Sequence, residues 1–146
     1  MARYESWASI EFSILKIGEE AKIHTHVRAV SYSDALEREL VRGAGRGILG
    51  ITDAVYVPGD MSIEFLFRWW RTWIADTTTQ GELKLGDIDF RMVLKHLVQR
   101  STETPIVDEV DFVINGAEDA RTAGSEALIT TVPCMITKVK RNGVEL

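Results

Sequence analysis

The segment spanning residues 27–60 constrains the fold of this chain more than any other. It begins with alternating apolar and polar residues, continues through charges of both signs, and reaches the glycine-rich sequence GAGRG at residues 43–47. Alternation is typical of a strand, and glycines permit a tight chain reversal. The segment therefore predicts a long β-hairpin arm over about residues 31–56 that extends beyond the core, followed by a turn in the sequence VPGD at residues 57–60.

An arm of mixed charge is suited to contact with another copy of the same chain. Its acidic residues can face the basic residues of a neighbouring subunit, and such pairs fix register and exclude wrong partners more than they add affinity. The contact is heterologous, so it closes a ring or propagates. The predicted subunit interface comprises Asp34, Glu37, Arg38, Glu39, Arg42, Gly43, Arg46 and Gly47.

The remaining sequence predicts a mainly β fold. Alternation indicates strands over residues 7–17, 21–33, 61–67, 87–98, 106–114 and 127–139, with the first two joined as a hairpin at Gly18. A short final strand follows the Asn142-Gly143 turn. We expect one domain over residues 1–146, built as an antiparallel β-barrel or two packed sheets, with one short flanking α-helix and the projecting hairpin.

Three tryptophans predict the helix, at about residues 67–77. Trp69 or Trp70 shares a helical face with Trp73. This spacing favours a helix that covers one open end of a barrel. A base-stacking platform is disfavoured, because Arg68 and Arg71 are too few to form a phosphate track.

Composition excludes several classes of protein. Hydrophobic residues make up 45% and charged residues 27%, as in globular domains. No apolar run approaches the roughly 20 residues of a membrane helix, and the N-terminus does not resemble a secretory signal, so we expect synthesis in a cytoplasm. A single cysteine, Cys134, allows no internal disulfide. The net charge of −5 disfavours broad adhesion to nucleic acid.

No residue pattern indicates catalysis, a metal or a cofactor. His24 and His26 share a strand face and His96 could complete a zinc site, but polar surface is the simpler interpretation. GAGRG precedes a strand, whereas a phosphate-binding loop precedes a helix. None of the many carboxylates stands out as a member of an acid–base pair. An enzyme is therefore not expected.

The order of these features resembles the tail tube proteins of long-tailed bacteriophages. The resemblance rests on the YSD sequence at residues 32–34, the charged arm with its glycine and arginine turn, the PGD sequence at residues 58–60, and the KRNG turn at residues 140–143. It covers most of the chain in order. The predicted helix contains more tryptophan than this family generally shows.

The resemblance implies a structural virion protein. Family members form hexameric rings that stack into a tube, through which DNA passes into the host without specific binding. It also implies contacts with the ring below through the arm and the N-terminal segment, and places Glu37, Arg42, Gly43, Arg46 and Gly47 in assembly. The implied partners are a tape measure protein, a baseplate or terminator, and a sheath in some tails. The tail would assemble in the bacterial cytoplasm.

An acidic lumen is also implied, and Asp89, Glu109 and Asp111 are its candidate residues here. Repulsion of phosphates would keep DNA from adhering to the wall. Two alternatives remain open. One is a type VI secretion tube protein of the hemolysin-coregulated kind, and the other is a small monomeric ligand-binding β-barrel.

Overall fold

The computed structural model describes residues 7–20, 22, 24–45, 47–97, 104–121, 123–124 and 126–146. This part of the chain forms one antiparallel sheet of seven strands and, separately, a two-stranded hairpin, β3–β4. The strands are β1 (Ile10–Lys16), β2 (Val27–Glu37), β3 (Leu40–Arg42), β4 (Ile48–Ile51), β5 (Val55–Leu66), β6 (Phe90–His96), β7 (Ile106–Ile114), β8 (Glu118–Asp119) and β9 (Ile129–Arg141), and the helix is α1 (Phe67–Thr77). The predicted mainly β, antiparallel fold with one short helix is confirmed.

The sheet has the order β1-β6-β7-β9-β5-β2, with β8 paired to β9. Strands β6, β7 and β9 and the second half of β5 bury every second residue, on one face of the sheet, over most of their length, as the alternation of the sequence predicts. The core residues of this face lie mainly on β5, β6, β7 and β9, and include Ile63, Phe65, Phe90, Met92, Val110, Phe112, Val132 and Ile136. The opposite face of the sheet is open to solvent.

Helix α1 covers the apolar face of the sheet. Trp70 is buried, and the ring of Phe65 stacks on Trp69, Trp70 and Trp73 at centroid distances of 4.9 to 6.0 Å. Leu66 precedes the helix without a side-chain cap, but the Phe67 N–H donates to the Leu128 carbonyl at 3.0 Å. Packing of the aromatic stripe, rather than capping, therefore holds this helix in place.

The predicted hairpin between the first two long strands does not form. β1 pairs with β6 and β2 with β5, so β1 and β2 lie at opposite edges of the sheet. The His24 N–H still donates to the Phe12 carbonyl at 2.7 Å, and Leu66 donates to the His26 carbonyl at 3.0 Å. The short segment before β2 therefore lies between β1 and β5, where it brings the two edges of the curved sheet together.

The predicted turn at residues 57–60 is instead part of the long strand β5. Pro58 lies opposite Asp34, at an irregularity in the β2–β5 register. The pairing of β5 with β9 begins only at Asp60, so the missing N–H of proline leaves no ladder bond unmade on that side. The continuous strand joins the arm directly to the core.

The Asn142-Gly143 turn forms as predicted. Both residues have positive φ, 52° and 78°, which is typical of a tight hairpin turn. The strand after it is reduced to one bridge between Arg141 and Val144. Strand β8 was not predicted, and its Asp119 accepts hydrogen bonds from Arg71 on α1 and from Thr130. No described helix is long and apolar enough to cross a membrane.

Candidate assembly surface

The arm begins where β2 and β5 leave the rest of the sheet. Their pairing ends with Glu37 opposite Val55. The Glu39 N–H then donates to the Thr52 hydroxyl at 2.8 Å, and the Thr52 N–H donates to the Glu39 carbonyl at 2.9 Å. Beyond this closure, β3 pairs with β4 and with no other described strand. The arm is therefore a hairpin extended by a second, smaller hairpin.

The tip of the arm, residues 40–55, exposes large apolar side chains in the part that the structure describes. Its large hydrophobic side chains range in exposure from 42% at Val41 to 74% at Leu49. The others of this set are Leu40, Ile48, Ile51 and Val55. A two-stranded hairpin has no core of its own, so these apolar side chains form an exposed patch of a kind that is rare on monomeric proteins.

The charged residues of the predicted interface surround this tip. Glu37, Arg38, Glu39 and Arg42 are exposed, and none forms an ion pair with another described residue. Gly43 and Gly47 flank the turn, in which Gly45 has a φ of 112°. Arg46 lies outside the described residues. The positions of Glu37, Arg38, Glu39 and Arg42 suit contact with a partner.

Asp34 differs from the other predicted interface residues. Its side chain is fully buried, and its Oδ1 lies 2.6 Å from the Arg141 guanidinium while Oδ2 accepts a hydrogen bond from Tyr56 at 2.9 Å. Oδ1 has no hydrogen bond of standard geometry within the described residues, so the charge of Arg141 compensates its burial. Asp34 thus ties the base of the arm to β9 within one subunit.

A second polar cluster lies beside the first. Tyr32 donates to Asp108 at 2.6 Å, His96 Nε2 is 3.7 Å from the same carboxylate, and the Asn142 N–H donates to its other oxygen at 3.2 Å. Two effects raise the pKa of Tyr32 above its usual range. Burial is the larger, and the hydrogen bond to Asp108 is the second. These contacts link β2, β6, β7 and the C-terminal turn at the end of the sheet from which the arm leaves.

Two of the three candidate lumen residues lie on the solvent face of β7. Asp111 forms a two-point ion pair with Arg91 at 2.7 and 3.2 Å, and the hydrogen bond from Arg91 raises the pKa of that guanidinium. Glu109 lies between Val93 and Lys140 in the strand register. This part of the face alternates acid with base.

The part of the solvent face that β5 forms carries acidic residues without basic partners among the described residues. Asp60 and Glu64 on β5 form no ion pair with described residues, and their strand neighbours include Ala29, Thr131 and Met135. Asp89, the third candidate, lies just before β6 and is exposed, with its carbonyl accepting the Ile17 N–H at 3.1 Å. The structure therefore does not bring the three predicted carboxylates together into one cluster.

The histidines and tryptophans form structural contacts. His26 stacks on Trp69 with an interplanar angle of 8°, and His24 meets the same ring edge-on. His96 lies with Asp108 at the other end of the sheet. Within the described residues no three ligating side chains form a group that could hold a metal ion.

Sequence reasoning found the arm but not its apolar character. The prediction relied on the charged residues of the arm. The most unusual feature of the folded arm is instead the exposure of its apolar residues Leu40, Ile48 and Leu49. The alternation that marks a half-buried strand is absent from LVR and ILGI. Apolar residues on both sides of a glycine turn were a usable signal for the exposed apolar surface of the arm.

Three solved structures illustrate the similarity of this architecture to known proteins. A chain of the anti-feeding prophage baseplate matches with a TM-score of 0.64 and 14% identity, covering 100% of both chains. The SPP1 tail tube protein matches with a TM-score of 0.64 and 12% identity over 98% of this chain and 81% of the other. A chain of the sheath–tube complex of an extracellular contractile injection system, PVC, matches at 0.55 and 12%, over 89% and 86%.

No protein-family model and no curated protein matches the chain. At these identities the likeness concerns the fold. The chain has the tail tube-like fold, which phage tail tubes and contractile injection systems share. The predicted resemblance to tail tube proteins is confirmed at this level.

Proposed function

We propose that this chain is the structural subunit of a phage tail tube, and that it assembles into hexameric rings that stack as a conduit for DNA. The observation that supports this most is the arm, which extends an apolar and charged hairpin beyond the sheet. A monomer gains nothing from six exposed large hydrophobic residues on a two-stranded ribbon. A neighbouring copy that covers the arm would bury these side chains and remove them from water.

The sheet itself supports assembly. Its edge strands β1 and β2 each pair with only one described strand, and the segment at His24 bonds to β1 only at Phe12 and Ile14, so neighbouring subunits can continue the sheet along the rest of these edges. Closure around a ring is the usual way in which a β-sheet loses its edges. The baseplate chain of the same fold comes from a six-fold symmetrised assembly, which favours six subunits per ring.

The solvent face of the sheet is the proposed wall of the lumen, because α1 covers the other face. Glu109 and Asp111 lie on the proposed wall, as do Asp60 and Glu64. Asp89, at the end of the sheet, would face the junction between rings. Asp60 and Glu64 form no ion pair with described residues and would repel phosphates, whereas Asp111 is balanced by Arg91 and Glu109 lies beside Lys140, so the wall offers DNA no basic surface on which to bind.

Light scattering and electron microscopy test the proposal. Purified protein is expected to form rings or tubes, whereas a variant with residues 40–51 replaced by a two-residue turn stays a ring or a monomer. The control deletes residues 144–146 beyond the C-terminal turn, and tubes should persist. Wild-type protein that remains a monomer at high concentration, with no rings in negative stain, would reject the tube and favour the ligand-binding barrel.

A second candidate is the tube of a contractile injection or secretion system. The matches to a sheath–tube complex and to a prophage baseplate favour it. Such a tube would bind a sheath along its outer wall, where α1 presents Arg68 and Arg71. Purification of native particles separates the two candidates: DNA within the particle supports the phage tail, and a contracted sheath without DNA supports the injection system.

A further inference from the structure

A cavity of about 350 Å³ lies between α1, the end of β1 and the segment that leads into β2. Trp69 and Trp73 form one wall, with their rings nearly parallel at an interplanar angle of 14° and a centroid distance of 5.8 Å. Phe90 and His24 complete the aromatic lining. This volume is at the lower end of the range for small-molecule sites, so the cavity fits one small group rather than a large ligand.

Core packing alone does not account for this aromatic wall. Trp70 is buried at 1% exposure, whereas Trp69 and Trp73 pack at the edge of the core and remain partly exposed. The face of an indole ring carries negative potential, which attracts cations. Two partly exposed indoles beside a cavity are therefore suited to an organic cation.

A carboxylate continues the same side of α1. Trp69, Trp73 and Asp76 recur at i, i+4 and i+7, so their side chains follow one another along one face of the helix. Asp76 is exposed, lines the cavity and forms no ion pair with a described residue. A planar cation that packs against the indoles can therefore donate hydrogen bonds to Asp76.

The remaining titratable groups of the lining leave an acidic excess. Burial is the main effect that lowers the pKa of His24, so its imidazole is neutral at neutral pH, and its Nε2 lies 3.1 Å from the Ile14 carbonyl oxygen. The other charged residues that line the cavity are Lys16, Glu19, Glu20 and Lys22. Together with Asp76 they place three carboxylates against two ammonium groups, and lysine ammonium groups extend to water on flexible stems.

We propose that this cavity is a binding site for a guanidinium group, which packs against Trp69 and Trp73 and donates hydrogen bonds to Asp76. A guanidinium fits the site better than an ammonium, because it is planar, more weakly hydrated and able to stack on aromatic rings. An arginine side chain of a partner protein and a free alkylguanidine present the same group. The lining comes from one chain, so the site does not depend on the proposed tube.

Isothermal titration calorimetry of the unaltered protein with agmatine tests the proposed group. Putrescine is the matched ligand, because it has the same carbon chain with an ammonium in place of the guanidinium. We expect agmatine to bind with a Kd on the order of 1 mM and putrescine to bind about tenfold more weakly. Equal binding of the two ligands, or binding of neither, would overturn the site.

A third ligand, arginine with both its amino and carboxyl groups blocked as amides, distinguishes the two sources of the group. Tighter binding of blocked arginine than of agmatine supports the site with a partner's side chain as its occupant. Tighter binding of agmatine supports the site with a free alkylguanidine as its occupant.

Variants of the lining give an independent test. Asp76→Asn is expected to weaken agmatine binding about tenfold, because a charge-assisted hydrogen bond is lost. Glu82→Gln is the control, since Glu82 is an exposed carboxylate that does not line the cavity, and its affinity for agmatine should be unchanged. Trp73→Leu should also weaken binding, and Asp76→Asn keeps the test decisive if that variant fails to fold. Equal affinity of Asp76→Asn and the unaltered protein would contradict the proposed role of Asp76.

Discussion

Asp34 links the arm to the body through one buried charge. Arg141→Ala removes the guanidinium that lies 2.6 Å from a fully buried carboxylate. We expect a loss of about 3 kcal/mol in the free energy of unfolding, because the remaining charge is left without its counter-ion. Urea denaturation of the unassembled subunit measures this loss.

The control for this change is Lys138→Ala. Lys138 pairs with Glu145 at 3.0 Å, and both side chains are about half exposed, so the expected loss is below about 1 kcal/mol. Equal losses in the two variants would show that Asp34 is solvated in the folded protein and that Arg141 does not anchor the arm.

Two partly buried tyrosines, Tyr32 and Tyr56, predict how stability depends on alkaline pH. Burial, and then the hydrogen bond to Asp34, raise the pKa of Tyr56 to about 12, and Tyr32 shifts in the same direction beside Asp108. In the unfolded chain both titrate near pH 10. Above that pH the unfolded state loses these protons while the folded state keeps them, so stability falls as pH rises from about 10.

Tyr32→Phe removes one of these titrating groups and should flatten that fall. The comparison is the free energy of unfolding of wild type and variant between about pH 9 and pH 11. At the lower pH the variant is less stable, because the bond to Asp108 is lost. Parallel curves for the two proteins would mean that Tyr32 ionises normally in the folded state.

Among the elements, β5 depends on a glycine at the base of the arm. A Cβ at Gly59 would lie 2.5 Å from the Ser33 carbonyl oxygen, where the β2–β5 register shifts. Gly59→Ala is expected to cost about 2 kcal/mol or more, since backbone must move to admit the methyl group. Faster amide exchange in β2 and β5 near the arm would accompany that loss.

Gly50→Ala on β4 is the matched control, because nothing lies within 4 Å of the added methyl group. It should leave stability and amide exchange in β2 and β5 unchanged. If both alanine variants behave alike, the close approach of Ser33 to Gly59 does not limit the structure.

The helix and several strands were predictable because their signals are local. The spacing of Trp69, Trp70 and Trp73 predicted a helix, which the structure places at Phe67–Thr77, and alternation predicted β7. Strand partners were not predictable, since the β1–β6 pairing depends on tertiary contacts rather than on adjacency in the chain. Pro58 and Gly59 suggested a turn. The structure shows why a strand tolerates them, since the pairing of β5 with β9 begins only after them, at Asp60.

In the candidate site, too, local features were predictable and long-range contacts were not. Charges and glycines located the arm, and the exposed positions of Glu37 and Arg42 agree with that location. The burial of Asp34 depends on Arg141, which lies more than one hundred residues away in sequence. Sequence periodicity does not report such a contact, so the pattern alone placed Asp34 with its exposed neighbours.

At the scale of the whole molecule, the two faces of the sheet predict the two walls of the tube. Glu109 lies on the solvent face and Asp76 lies on α1, which covers the opposite face. Glu109→Lys would place a basic side chain on the lumen wall, and Asp76→Lys would make the same change outside. Basic groups attract phosphates in proportion to the number neutralised.

Tubes of each variant can be incubated with a labelled single-stranded oligonucleotide and treated with nuclease. We expect Glu109→Lys tubes to retain protected DNA at low salt and to release it as salt is raised, because release follows counter-ion competition. Asp76→Lys tubes and wild-type tubes should protect little. Protection by Asp76→Lys alone would place α1 on the lumen side and reverse the proposed orientation of the sheet.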